Sequence, residues 1–266
     1  MGEKGRRERA AQARGEAQAS EKRRERIVRI VGGATVVAVM AAIIGIAVYA
    51  SSTAPSTDAS GLTGGIVEPD PSAALPAGVL PADSPTPFGV PYGTGSADVP
   101  VLELWEDFQC PACGSLELAN GAGIAKLAEE GKVQLVYRPT AFLDANLGND
   151  SSHRAIAAWG CAIDAGKVKE YHDTVYVNQP VEEGMGFPED RLLAFGSDSG
   201  ITDAAFTTFS QCVTDGTYLA WAANTNQEFS AGEIGGTPAG FLNGEPVETA
   251  VLADPIALAE LIASKS

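Results

Sequence analysis

Histidine is almost missing from this chain, with only His153 and His172 among 266 residues. Cysteine is nearly as scarce, at four residues, and these fall into two separated pairs, Cys110 with Cys113 and Cys161 with Cys212. A zinc site needs four ligands at short spacings, so no metal is expected, and each histidine reads as a helix-surface or interhelical residue. Basic residues are few, 18 Lys and Arg against 34 Asp and Glu, and only eight of them lie beyond residue 50. An exterior this acidic repels phosphate, which excludes nucleic acid as a partner. There is no Gly-x-Ser-x-Gly elbow of a serine hydrolase, no glycine loop cradling phosphate ahead of a helix, and no internal repeat. No cofactor is expected.

What basic charge there is sits at the front. Residues 1–29 carry ten Lys and Arg and five Asp and Glu. The run Ile30 to Ala50 follows, 21 residues without a charge. A helix of that length rises about 30 Å and matches a bilayer core. Positive residues stay cytoplasmic, so 1–29 reads as a basic cytoplasmic tail, 30–50 as one transmembrane helix, and the rest as extracytoplasmic. The rival is a cleaved signal peptide ending at Val48-Tyr49-Ala50, but the apolar run exceeds a usual signal core of about 7–15 residues. No cysteine follows the run closely, which excludes a lipoprotein anchor. The interleaved Arg and Glu of the tail, without aromatics, orient a membrane helix better than they bind nucleic acid. Residues 51–98 hold eight of the 16 prolines and no Lys or Arg, and they read as a disordered Pro-rich linker.

That leaves 99–266, one domain by size. A buried strand is expected over 99–106, a helix over 111–130 and a second strand over 133–138. Helical spacing dominates from Asp150 to Ser230, with Trp105, Trp159 and Trp221 as core residues. A strand over 239–243 meets Asn243-Gly244, a type I′ hairpin signal. Asp254-Pro255 then opens a final helix, 255–264. The order β-α-β, helical block, β-β-α predicts one mixed sheet with helices on both faces and a helical insertion at about 141–233.

Cys110-Pro111-Ala112-Cys113 falls where the first strand hands over to the first helix. The free N–H groups and dipole of a helix N-terminus favour a thiolate on the first sulfur. The second sulfur lies one turn on, close enough to close a disulfide, giving a reversible two-electron couple. A structural disulfide or half a zinc site would use the same four residues. Far downstream, Gly235-Gly236-Thr237-Pro238 enters the strand 239–243, where two glycines permit close backbone approach.

With Phe108-Gln-Cys-Pro-Ala-Cys113 and Gly236-Thr-Pro-Ala-Gly-Phe241 in this order, the chain resembles the thioredoxin superfamily, and within it the DsbA-like thiol–disulfide oxidoreductases. The resemblance covers about 99–264. It implies that Cys110 is the exposed nucleophile, Cys113 the buried partner that resolves a mixed disulfide, and Pro238 a cis proline that brings the Thr237 backbone to the Cys110 sulfur, where an extended substrate can pair with it. Two departures stand out. Relatives with a very acidic first thiol often carry Pro-His where this chain has Pro-Ala. Many place an acid six residues before the first cysteine, where this chain has Leu104. Glu106, on the same strand face, is the candidate substitute for proton transfer, against the plain reading of a solvated or hydrogen-bonded strand-end acid; Asp107 reads as a helix cap.

In an exported domain with one pair so assigned, Cys161 and Cys212 read as a structural disulfide, the alternatives being a shuttle pair or two free thiols. The expected function is introduction of disulfides into exported proteins with free thiols. A disulfide reductase or isomerase of the same fold is the first alternative, and a non-catalytic docking or chaperone module the second. An oxidase also needs reoxidation, for which the resemblance implies a quinone-linked membrane partner, DsbB-like or vitamin K epoxide reductase-like.

Overall fold

A computed structural model of the chain describes residues 67–265. In chain order, strand β1 (Val90–Tyr92) and strand β2 (Val101–Glu106) lead into helix α1 (Pro111–Leu116), a π-helical turn (Glu117–Gly121) and helix α2 (Ala122–Glu129). Strand β3 (Gln134–Pro139) follows. Six helices come next: α3 (Phe142–Leu147), α4 (Ser151–Asp164), α5 (Val168–Val177), α6 (Glu189–Asp198), α7 (Asp203–Thr214) and α8 (Leu219–Ala231). The chain closes with β4 (Ala239–Leu242), β5 (Glu245–Val247), α9 (Thr249–Leu252) and α10 (Pro255–Ala263). The strands form one mixed sheet in the order β1-β3-β2-β4-β5.

β2 lies at the centre of that sheet, parallel to β3 and antiparallel to β4. A parallel neighbour requires a crossover, and α1, the π turn and α2 supply it. The alternation of β2 decides which side chains face the helices. Leu102, Leu104 and Glu106 share one face, and Val101, Glu103 and Trp105 the other. On the second face Arg138 reaches Glu103 at 2.6 Å and lies over the Trp105 ring at 4.2 Å, while Trp105 packs on Phe229 of α8. On the first face Tyr137 of β3 meets Trp159 of α4 and His172 of α5, at 6.0 Å and 4.6 Å between ring centres. The insertion therefore roofs the strand ends from which the Cys-x-x-Cys segment starts.

The hairpin turn has φ of 53° at Asn243 and 80° at Gly244, the left-handed pair a type I′ turn requires. The Asn243 side chain also accepts a hydrogen bond from the Val101 N–H at 2.9 Å, tying the turn to β2. Asp254 caps α10, accepting from Ile256 and Ala257 N–H groups at 2.9 and 3.1 Å.

Two expectations change. The helix expected over 111–130 runs unbroken from 111 to 129 but widens into a π turn at 117–121, a known accompaniment of functional sites. Here it lets Glu117 point into the interior, while buried Asn120 donates to the Leu252 carbonyl at 2.7 Å. The linker assigned to 51–98 does not hold for residues 67–98. Val79, Phe88 and Val90 are buried in the core, β1 pairs with β3, and the Trp221 indole donates to the Phe88 carbonyl at 3.0 Å. Proline-rich composition hid this because Pro91 sits on an edge strand, where a missing N–H is tolerated. Gly93, at φ +95°, lets that edge approach the α2 backbone: a Cβ there would lie 2.5 Å from the Ala128 carbonyl. Residues 51–66, the tail at 1–29 and the apolar run at 30–50 lie outside the described residues, and among those described no helix is long and apolar enough to cross a membrane.

Candidate functional site

β2 ends at Glu106, and four residues later Cys110 occupies the N-cap of α1 with Pro111 at its first position. Proline costs nothing there, because its missing N–H would have no helical partner. Side-chain capping is absent, so the first-turn N–H groups face the Cys110 sulfur. Cys110 and Cys113 are free thiols. Cys113 is fully enclosed at 0 % exposure, and Cys110 retains 7 %, so the nucleophile expected to be exposed offers only a narrow window. The Thr237–Pro238 bond is cis, and Cys110 Sγ donates to the Thr237 carbonyl at 3.4 Å. Antiparallel pairing of β4 with β2 makes this meeting, since Trp105 lies opposite Ala239, next to Pro238.

The two sulfurs are electrostatically unlike. Cys110 is pulled down to about 6, chiefly by the Cys113 side chain hydrogen-bonding to it, then by the Thr237 side chain and the backbone N–H groups of Cys113 and Ala112, against an opposing push from burial. Cys113 is driven well above the ordinary thiol range by burial, then by Cys110 and by the charge of Glu106. At neutral pH the reduced pair is therefore one thiolate and one thiol.

Glu106 is 5 % exposed, so it is a hydrogen-bonded strand-end acid and not a solvated one. Burial, then the nearby Glu117, raises it to about 8, although His172 pulls the other way. Its Oε2 lies 3.2 Å from His172 Nε2. Burial alone would push His172 down, but Asp173, Glu106 and Glu117 together carry it up to about 9. Of the two places expected for the histidines, helix surface or between helices, both take the second: His172 is 2 % exposed and packs on Trp159, and His153 is buried with Nδ1 2.8 Å from Asp144. One atom each of Glu106, Glu117 and His172 lies within 4.8 Å of the others. His172 Nε2 is bonded to Glu106, so the three groups form a buried cluster of one imidazole and two carboxylates.

Asp107 does not cap α1. It is fully buried, raised to about 7 chiefly by burial, and accepts from the Gln109 and Leu143 N–H groups at 2.8 and 3.1 Å and from the Ser152 hydroxyl. Gln109 in turn donates to Asp144, Asn149 and Ser152. This network fastens the loop before Cys110 to α3 and α4. Sequence reading missed Gln179 altogether. Its amide donates to the carbonyls of both Phe108 and Cys110 at 2.9 Å, holding the loop from the α5 side. Its carbonyl occupies the space over Gly114, where a Cβ would come within 2.4 Å. Nothing local marks Gln179, because its partners are backbone atoms about 70 residues away.

Cys161 and Cys212 form a disulfide between α4 and α7, with Cα atoms 5.8 Å apart. Beside α1 a groove of about 530 Å³ runs past Pro111, Gly114, Glu117, Asp173 and Tyr176, rimmed by exposed Leu118, Val177 and Val181.

A family model described as thioredoxin matches residues 86–259. No curated protein sequence matches the chain. Among solved structures, oxidised Mtb DsbA aligns at 26 % identity and a TM-score of 0.56, covering 66 % of this chain and 92 % of its own. Reduced DsbG from Mycobacterium tuberculosis aligns at 26 % and 0.56, covering 66 % and 86 %. MdbA, a thiol-disulfide oxidoreductase from Actinomyces oris, aligns at 21 % and 0.57 over 71 % and 97 %, a likeness of fold.

Proposed function

As this chain belongs to the thioredoxin family, we propose that it is a DsbA-type thiol–disulfide oxidoreductase working in the direction of oxidation on exported proteins. The observation that carries this reading is the split of the two thiols, a low Cys110 against a high Cys113, at a helix N-terminus beside the Thr237 carbonyl. Stabilising the reduced pair as a thiolate makes the disulfide easier to reduce and so a better oxidant.

The chemistry runs in two displacements. A client thiolate attacks Cys110 Sγ, the Cys110–Cys113 bond breaks, and Cys113 leaves with a proton. A second client thiolate then attacks the client sulfur of the mixed disulfide, forming the client disulfide and releasing Cys110 as thiolate. Two electrons move to the protein. Glu106 is the group we assign to exchange a proton with Cys113, because burial lifts it to about 8, where it can hold or take a proton near neutral pH, and its ionised form is one of the groups that push Cys113 up. Thr237 and Pro238 form the wall against which an extended client lies, in the manner of strand addition. The Cys161–Cys212 disulfide is assigned a structural role.

We further propose that 30–50 anchors the chain in the cell membrane, with residues 1–29 cytoplasmic and the domain outside. Reoxidation then falls to a quinone-linked membrane partner, DsbB-like or vitamin K epoxide reductase-like. Pro-Ala between the cysteines favours a milder oxidant than Pro-His.

The test is the reduction potential of the Cys110–Cys113 pair in the full chain, equilibrated with glutathione, alongside its oxidation of a reduced dithiol peptide. A potential above about −200 mV with net disulfide transfer supports an oxidase; one near the −270 mV of thioredoxin makes it a reductase. A disulfide that transfers to no dithiol would leave a docking module.

A further inference from the structure

We propose that His172, with Asp173 beside it, is a positioning residue that passes the proton of Glu106 between the buried Cys113 and the groove beside α1. This rests on the assignment of Glu106 made above and extends it to residues of the helical insertion.

The geometry runs from enclosed groups to one at the groove. Cys113 and Glu106 are enclosed, His172 more so than Glu106, whereas the Asp173 side chain is 43 % exposed and lines the groove. His172 Nε2 is 3.2 Å from Glu106 Oε2, and its other nitrogen, Nδ1, is 3.5 Å from Asp173 Oδ1 and 4.0 Å from Glu117 Oε2. The ring is walled by Phe108, Tyr137, Trp159 and Tyr176, with ring centres 4.6 to 5.7 Å away. Those rings leave Nε2 bonded to Glu106 and Nδ1 close to the Asp173 and Glu117 carboxylates without a hydrogen bond to either. Imidazole is the side chain suited to such a place, since it takes a proton at one nitrogen while releasing one from the other.

The charged and titratable groups around it come from every packed element: Glu106 from β2, Cys110 and Cys113 from the start of α1, Glu117 from the π turn, Tyr137 from β3, and Asp173 and Tyr176 from α5, with Lys169 paired to Asp173. A buried acid that exchanges protons with a buried thiol needs an outlet if it is to turn over. Cys113 offers none of its own, at 0 % exposure.

The experiment uses the reduced full chain and 5,5′-dithiobis(2-nitrobenzoate). Cys110 thiolate attacks the reagent and releases one thionitrobenzoate. In a second phase Cys113 gives its proton to Glu106, its sulfur attacks Cys110 Sγ, the intramolecular disulfide forms and a second thionitrobenzoate leaves. H172Q keeps an amide N–H where Nε2 faces Glu106 but cannot relay. We expect H172Q to slow the second phase about tenfold or more and to move its pH midpoint, with the first phase unaltered. D173N, at the exposed end, is expected to slow the second phase less and in the same sense. E106Q separates the two claims. A slow second phase in E106Q with wild-type rates and pH profiles in H172Q and D173N overturns the His172 path alone. A wild-type second phase in E106Q overturns the Glu106 assignment and this inference together. Should H172Q fail to fold, D173N decides: a wild-type second phase overturns the path, and a slowed one with a moved midpoint supports it.

Discussion

Cys110 Sγ and the Thr237 carbonyl oxygen are 3.4 Å apart although 127 residues separate them in sequence. Everything between the two, the crossover helix, strand β3 and the whole helical insertion, is laid out so that β4 returns to β2 and closes that gap. A client bound to Cys110 would therefore meet the backbone before β4 as soon as it meets the sulfur.

The roles of the two sulfurs are separable by trapping. C113A should accumulate mixed disulfides with exported proteins through Cys110, because the resolving thiol is gone, whereas C110A should trap few or none. Non-reducing gels of the variant proteins read this directly. More mixed disulfide in C110A than in C113A would reverse the assignment.

The Cys110 thiolate should be visible in its pH dependence. In the reduced protein its ultraviolet thiolate absorbance should titrate near 6, with Cys113 silent through neutral pH. The linkage sign follows. A Cys110 depressed to about 6 from an unfolded value of about 8.5 contributes stability that is fully present above 8.5 and lost as pH falls through 6. The disulfide form has no such group. The stability of the reduced form relative to the oxidised should therefore rise between about pH 6 and 8.5, measured by denaturant unfolding of both. Ala112→His should lower the Cys110 value further and raise the potential, since a histidinium would sit beside the thiolate. An unchanged titration in that variant would mean position 112 points away from the sulfur.

Cys161→Ser combined with Cys212→Ser should lower the melting temperature while leaving dithiol oxidation intact. The loop they close spans 51 residues, for which chain entropy gives about 4 kcal/mol. A folded double variant that no longer oxidises dithiols would make this pair part of the redox path.

Gln179 can be displaced in two ways. Gln179→Ala removes both hydrogen bonds to the Phe108 and Cys110 carbonyls, and Gly114→Ala drives a methyl to 2.4 Å from the Gln179 carbonyl oxygen. Each is expected to cost about 1–3 kcal/mol, to raise hydrogen exchange across residues 108–114 and to slow exchange with thiols. Equal exchange protection in wild-type and Gln179→Ala proteins would show that Asp107 and Gln109 hold the loop without it.

Local order was enough to place the chemistry. A strand, then Cys-x-x-Cys, then an amphipathic helix, and later Gly-Thr-Pro before a strand with Asn-Gly and Asp-Pro signals, are patterns whose physics acts over a few residues: turn dihedrals, capping and period-two alternation. What residues 67–98 do was not legible, because Phe88 and Val90 look like any linker apolars until Trp221 and β3 cover them. Nor was the burial of Glu106, whose position at a strand end says nothing about the α4 and α5 roof above it. His172 and Gln179 are one helix turn and a loop in sequence, and they become the acid's partner and the loop's clamp only where α5 packs on β2 and α1. Motifs report the backbone they sit on, and with it the local N–H groups and neighbouring sulfur that lower Cys110; the states of Glu106 and Cys113 depend on which distant side chains exclude water from them, and that is decided by tertiary packing.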